Sequence, residues 1–146
     1  MTSDADLGRA QARRLTALTE RLTARLSDET QAFEARRPQD VARSLAETQD
    51  LANVYRRESA QMKANPAVLA GAPTSERMAL IRATEAFEAV LARHGRAVEA
   101  ARIVSEGLVK CIAEEMAEAR ARGTGYGASG HAAAGDNRAV TLNRMA

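Results

Sequence analysis

TSERMALIRATEAFEAVLARHGRAVEAARIVSEGLVKCIAEEMAEARAR, residues 74–122, is the stretch that decides the fold. It holds no proline, and its only glycines are Gly95 and Gly107. Leu80, Thr84, Phe87, Leu91, His94, Val98, Ala101, Ser105, Leu108 and Ile112 recur at alternating steps of four and three. That spacing describes a heptad seam on a helix and excludes the alternation of a strand. A helix of this length spans roughly 70 Å at 1.5 Å per residue, against about 11–12 residues for an ordinary globular helix. The reading is therefore a spine for an elongated bundle, or a coiled-coil arm.

Upstream, residues 4–36 read as a first helix. Asp4 and Asp6 suit its positive N-terminal end, and Leu7, Leu15, Leu18, Leu22, Leu26 and Phe33 form its apolar stripe, with Gln11 and Glu29 or Thr30 in the gaps. Pro38 ends this helix and opens the next, because proline disfavours helix in the residue before it and is tolerated in a first turn. The second helix is expected over residues 39–64. Its weaker stripe is Val41, Leu45, Thr48, Leu51, Tyr55, Glu58 and Met62. In residues 65–73, two prolines and a glycine argue against regular helix, with Val68 and Leu69 folding back onto the bundle end. Thr74 or Ser75 is expected to cap the long helix, with Glu76 in its first turn. Gly123 is expected to end it. Five of the nine glycines fall within residues 123–135, so residues 123–146 read as a flexible tail that burial cannot order when free. Val140, Leu142 and Met145 follow the glycines, the layout of a peptide that folds on binding.

The fold class is thus all-α: an elongated antiparallel three-helix bundle or coiled coil, residues 1–122, with a long C-terminal helix and a glycine-rich tail. The composition agrees. Aromatic residues make up 3% of the 146 and tryptophan is absent, which favours slender helix packing over a thick core.

The 21 basic residues are nearly matched by 19 acidic ones, and neither charge concentrates in any segment. A nucleic-acid interface would want a basic stripe, and none is visible. Cys111 is the only cysteine, so no internal disulfide forms and nothing speaks for an oxidising compartment. The polar, acidic start is unlike a signal peptide. No apolar run reaches the roughly 18–20 residues of a membrane span. These features describe a cytoplasmic protein without membrane insertion.

Catalysis has little to work with. His94 sits on the seam, where a packed imidazole is the plain reading, and His131 lies among the glycines. Cys111 reads as a small half-buried apolar residue, and Glu114, Glu115 and Glu118 as a solvated face. No metal-ligand spacing links them. The glycines at 123–127 lack the strand and lysine of a phosphate-binding loop. The chain is read as no enzyme, with no cofactor and no metal.

The C-terminal end carries the most specific pattern. Gly-Tyr-Gly-Ala-Ser-Gly at 125–130, followed by Val-Thr-Leu-Asn-Arg at 140–144, resembles the tail of FlgN-type flagellar export chaperones. The leucine-rich first helix, a second helix with the Leu-Ala-Glu-x-x-x-Leu pattern at Leu45–Leu51 and the long third helix are similar in plan. The arginine-rich, lysine-poor composition fits the alphaproteobacterial, FlbY-like kind. The resemblance implies a cytoplasmic chaperone that binds hook–filament junction proteins, holds their terminal helices unassembled and delivers them to the export gate. It places partner binding on Leu108, Ile112 and Met116 of the helix and on Tyr126, Val140 and Leu142 of the tail. The partners it implies are flagellar hook-associated proteins and the export gate. Ordinary seam packing is the plain alternative for the helix residues. For the whole chain, the alternative is a structural or regulatory coiled coil acting as a homodimer or on partner helices.

Overall fold

The computed structural model describes residues 3–126. Five helices follow in order: α1 (Asp4–Glu34), α2 (Pro38–Ala42), α3 (Leu45–Ala64), α4 (Pro66–Ala70) and α5 (Thr74–Tyr126). No strand occurs among the described residues, and the all-α expectation holds. The chain divides into two compact units, Met1–Ala101 and Arg102–Ala146.

In the first unit, α1 begins with a reciprocal cap. The Ser3 hydroxyl accepts from the Asp6 backbone N–H at 3.2 Å, and the Asp6 carboxylate accepts from the Ser3 N–H at 3.4 Å. Two of the donors orphaned at a helix start are thereby satisfied. Leu15, Leu18, Leu22 and Leu26 then bury the face read from the sequence. Thr19 among them and Thr30 one turn beyond are fully buried, and each hydroxyl donates to the carbonyl four residues back at 2.7 Å. That internal bond removes the penalty of burying a hydroxyl.

The end of α1 falls two residues short of the expected Arg36. Ala35 is the cap, and Arg36 takes the left-handed conformation at φ 59°. The Arg36 N–H donates to Phe33 and the Arg37 N–H to Ala32, the paired closing bonds of a Schellman turn with arginine where glycine is usual. Pro38 starts the next helix as expected.

The expected second helix is divided. α2 stops at Ala42 and α3 begins at Leu45. At the break, the Ser44 N–H and hydroxyl both donate to the Val41 carbonyl, at 3.1 and 3.3 Å, so serine competes for the acceptor a continuing helix would use. The break alters the phase of the stripe. Val41 is buried, but Leu45 is 45% exposed. Beyond it Thr48 and Leu51 are buried, and Tyr55 and Met62 pack on the core. Glu58 is no core residue: it reaches Arg14 of α1 at 2.8 Å.

The 65–73 connector also differs from expectation, because it contains the short helix α4. Pro66 occupies the first helical turn, where its missing N–H costs nothing. Leu69 packs against the core as anticipated. Gly8 of α1 allows the close approach. A Cβ there would stand 2.5 Å from the Val68 carbonyl oxygen and 2.6 Å from the Ala72 nitrogen. Gly8 is accordingly buried, while Leu7, expected on the stripe, is 49% exposed.

The start of α5 lies at Thr74, and the Pro73 carbonyl accepts from Glu76 and Arg77. Thr74 is thus inside the helix rather than its cap. Ion pairs fix the directions within this unit. Arg25–Glu47 and Arg14–Glu58 set α3 antiparallel to α1, whereas Arg13–Glu76 and Glu34–Arg93 set α5 parallel to it. Leu80 and Phe87 join the leucines of α1 and Leu51 of α3 in one cluster, with the Phe87 ring 5.1 Å from Tyr55.

The seam of α5 is only in part the one read from the sequence. Leu80 and Phe87 are buried, but Leu91 and Val98 are 46% and 38% exposed. Half-buried Thr84, His94 and Ala101 keep to the expected seam, whereas Ala83, half-buried Val90 and Ala97 are covered in place of Leu91 and Val98. Ala79, Ala83 and Ala86 share a groove with Thr23, Ala24 and Ser27 of α1. That groove runs along the side of α5 that carries half-buried Val90, and Leu91 lies outside it. Finally, α5 does not stop at Gly123 but continues to Tyr126. An interior glycine weakens a helix by about 1 kcal/mol without forbidding it.

Candidate functional site

The second unit, as far as it is described, is a single stretch of α5. Its helicity is supported locally. Arg102 and Glu106 pair at 2.6 Å and Glu118 and Arg122 at 3.9 Å, each four residues apart, and alanines fill positions 113, 117, 119 and 121.

The predicted residues Leu108, Ile112 and Met116 all lie here, at successive steps of four. They are 60%, 49% and 51% exposed. Seam packing is therefore not their role within the described residues. Four-residue steps place them on one side of the helix, so the structure does bring these three together. Val104, one step earlier and 60% exposed, extends the row, and Ile103 and Val109 are also exposed. These three were missing from the sequence-based set. Val104 was detectable at Leu108 minus four; Ile103 and Val109 sit off the seam, and only their exposure distinguishes them. Tyr126 is the last residue of α5. Val140 and Leu142 lie outside the described residues.

Isolated exposed apolar residues are normal, but a contiguous row of large ones marks an interaction surface. Burying such a row contributes about 25 cal/mol per Å² of apolar area removed from water. An amphipathic helix laid along it, reading residues four apart, is the partner such a face accepts. Cys111, expected half-buried, is exposed beside this row.

Polar clusters elsewhere are structural in character. His94 of α5 and Glu29 of α1 meet at 3.3 Å, and the Phe33 ring stands edge-on to the imidazole at 6.2 Å. Glu29 is 5% exposed, so the pair is enclosed between two packed helices. The seam reading of His94 stands, and Glu29 is the partner that reading lacked. Among the described residues no group of three or more His, Cys, Asp or Glu side chains could hold a metal ion. No helix there is long and apolar enough to cross a membrane.

At the first unit's surface, Arg93 donates from two guanidinium nitrogens to the Glu34 carboxylate at 2.8 and 2.6 Å. This contact holds the Glu34 carboxyl below its ordinary value. The Ser3 cap does the same for Asp6. Both groups tie helix ends or neighbouring helices in place, and neither lies on the apolar row.

Comparison with known proteins adds one relative. The chain is 50% identical over 137 residues to the flagellar basal-body protein FlbY of Caulobacter vibrioides, covering 88% of this chain and 89% of the relative. No family model and no solved structure matches it.

Proposed function

The chain belongs to the family of the flagellar basal-body protein FlbY, and on that premise we propose that it is a cytoplasmic flagellar export chaperone of the FlgN type. Its proposed work is binding rather than catalysis. It holds an amphipathic helix of a hook–filament junction protein, prevents premature assembly and hands its cargo to the export gate. The observation that carries this reading is the exposed row Val104, Leu108, Ile112 and Met116. The family name supports a flagellar setting, and the tail motif at residues 125–130 and 140–144 supports the FlgN-type assignment. A chaperone needs a surface of this kind and no acid–base constellation. In this reading Tyr126 serves docking at the export gate, and Val140 and Leu142 clamp the bound helix.

Calorimetric titration of the full chain with purified hook-associated proteins of the same organism tests the proposal. Binding in the micromolar range or tighter is expected, reduced at least about tenfold by Ile112→Asp, since each 1.4 kcal/mol is a factor of ten. Absence of binding to every hook-associated protein would sink it. A chain that sedimented as a dimer and lost that dimer on Ile112→Asp would support the self-associating coiled coil instead.

A further inference from the structure

We propose that the apolar face of residues 104–119 selects a partner helix carrying a basic residue on its own apolar seam, and that Glu115 makes the selection. This rests on the partner-helix reading of the face and adds the chemistry of the partner.

Side chains three or four apart are the ones that meet on a helix. For Glu115 these are Cys111, Ile112, Glu118 and Ala119, and Leu108 lies two turns back. The carboxylate therefore stands within the apolar row, with no basic side chain in reach along its own helix. Glu118 already has Arg122 at 3.9 Å. Glu115 is exposed, and its side chain makes no ion pair or hydrogen bond among the described residues. Water solvates it while the face is open. A docked apolar helix removes that water, and an uncompensated carboxylate under an apolar contact is strongly unfavourable. A lysine or arginine on the partner's seam turns the penalty into a charge-assisted bond, its aliphatic stem lying along Leu108 and Ile112. One polar position within an apolar seam also fixes register and partner.

A second copy of the chain fits less well. A parallel, in-register pair would set Glu115 against Glu115. An antiparallel pair would need a basic residue on the same face. Between residues 101 and 119 the basic residues are Arg102 and Lys110. At 3.6 residues per turn they fall roughly 100° and 180° around the helix from the row's centre.

The test uses the full chain and synthetic amphipathic peptides of about three heptads, identical except for lysine, glutamine or glutamate at the central seam position. Affinity is read by fluorescence anisotropy. The lysine peptide is expected to bind about tenfold tighter than the glutamate peptide. Glu115→Gln should bring that ratio close to one, and Glu115→Lys should invert it. An unchanged ratio in Glu115→Gln overturns the proposal, as does failure of all three peptides to bind. If the three bind the wild type equally and Ile112→Asp abolishes all of them, the face accepts helices without charge selection; this proposal falls while the proposed function stands. If the lysine preference holds but no hook-associated protein is captured, the flagellar reading falls and this one stands.

Discussion

Arg36 occupies a left-handed backbone conformation, at φ 59°, in the turn that closes α1. Such a conformation costs a residue with a Cβ roughly 1–2 kcal/mol, partly offset because glycine loses more freedom on folding. Arg36→Gly is expected to stabilise the protein by about 0.5–1 kcal/mol, read as a shift in urea midpoint at unchanged slope. Gly8 and Gly95 give opposite outcomes for one substitution. Glycine to alanine in a helix interior is worth about 1 kcal/mol of propensity. At Gly95 a Cβ meets nothing within 4 Å, whereas at Gly8 it strikes backbone atoms at 2.5–2.6 Å. Gly95→Ala should therefore stabilise by up to about 1 kcal/mol, and Gly8→Ala should destabilise by about 1–3 kcal/mol through overpacking. Equal effects would show that the α1–α4 approach is looser than described. Glu34 offers a titration. Its folded pKa lies below the ordinary 4.5 because Arg93 bonds the charged form. The pair's contribution is thus full above pH 4.5 and is lost as pH falls through the lowered pKa. Carbon-detected NMR should place the Glu34 midpoint below 4.5, and Arg93→Gln should raise it.

Helix α5 carries one apolar repeat through two environments. Leu80, Ala83, Phe87 and Ala97 are buried, while Val104, Leu108, Ile112 and Met116 are exposed. Backbone hydrogen bonds in a helix with no packed face open readily. Amides of residues 103–122 are expected to exchange with solvent much faster than those of 80–97, and to gain protection when a partner helix binds. Slow exchange throughout would count against an uncovered face. Ile112→Asp should leave stability within about 0.5 kcal/mol, as surface changes do, while abolishing capture. The existence of the three long helices was legible, because their apolar spacing and the prolines at 38, 66 and 73 are local signals. The break at Arg43 and Ser44 was not, since nothing in the stripe marks it. Nor was the choice between the rows through Val90 and Leu91. Both are apolar, and only the placement of α1 shows that Val90 faces Thr23, Ala24 and Ser27 across a groove while Leu91 is exposed.

The whole chain is nearly neutral, with no basic concentration, so apolar contact rather than long-range charge is its expected means of binding. Every buried apolar side chain of the first unit's core lies between Ala12 and Ala97. Removing residues 127–146 should therefore preserve that unit's cooperative unfolding transition. On the proposed function it should weaken capture of a hook-associated protein, read by the same titration. Equal affinity would remove the tail from the binding role. Periodicity, proline placement and the absence of ligand clusters are properties of neighbouring residues along one chain. The sequence by itself therefore determined an all-α protein and pointed to Leu108, Ile112 and Met116. It could not say whether an apolar row is covered, because covering depends on what other helices bring to it. Only the tertiary structure decided that Leu80 and Phe87 are enclosed while Leu108 and its neighbours remain open, that Gly8 must lack a Cβ, and that His94 meets Glu29.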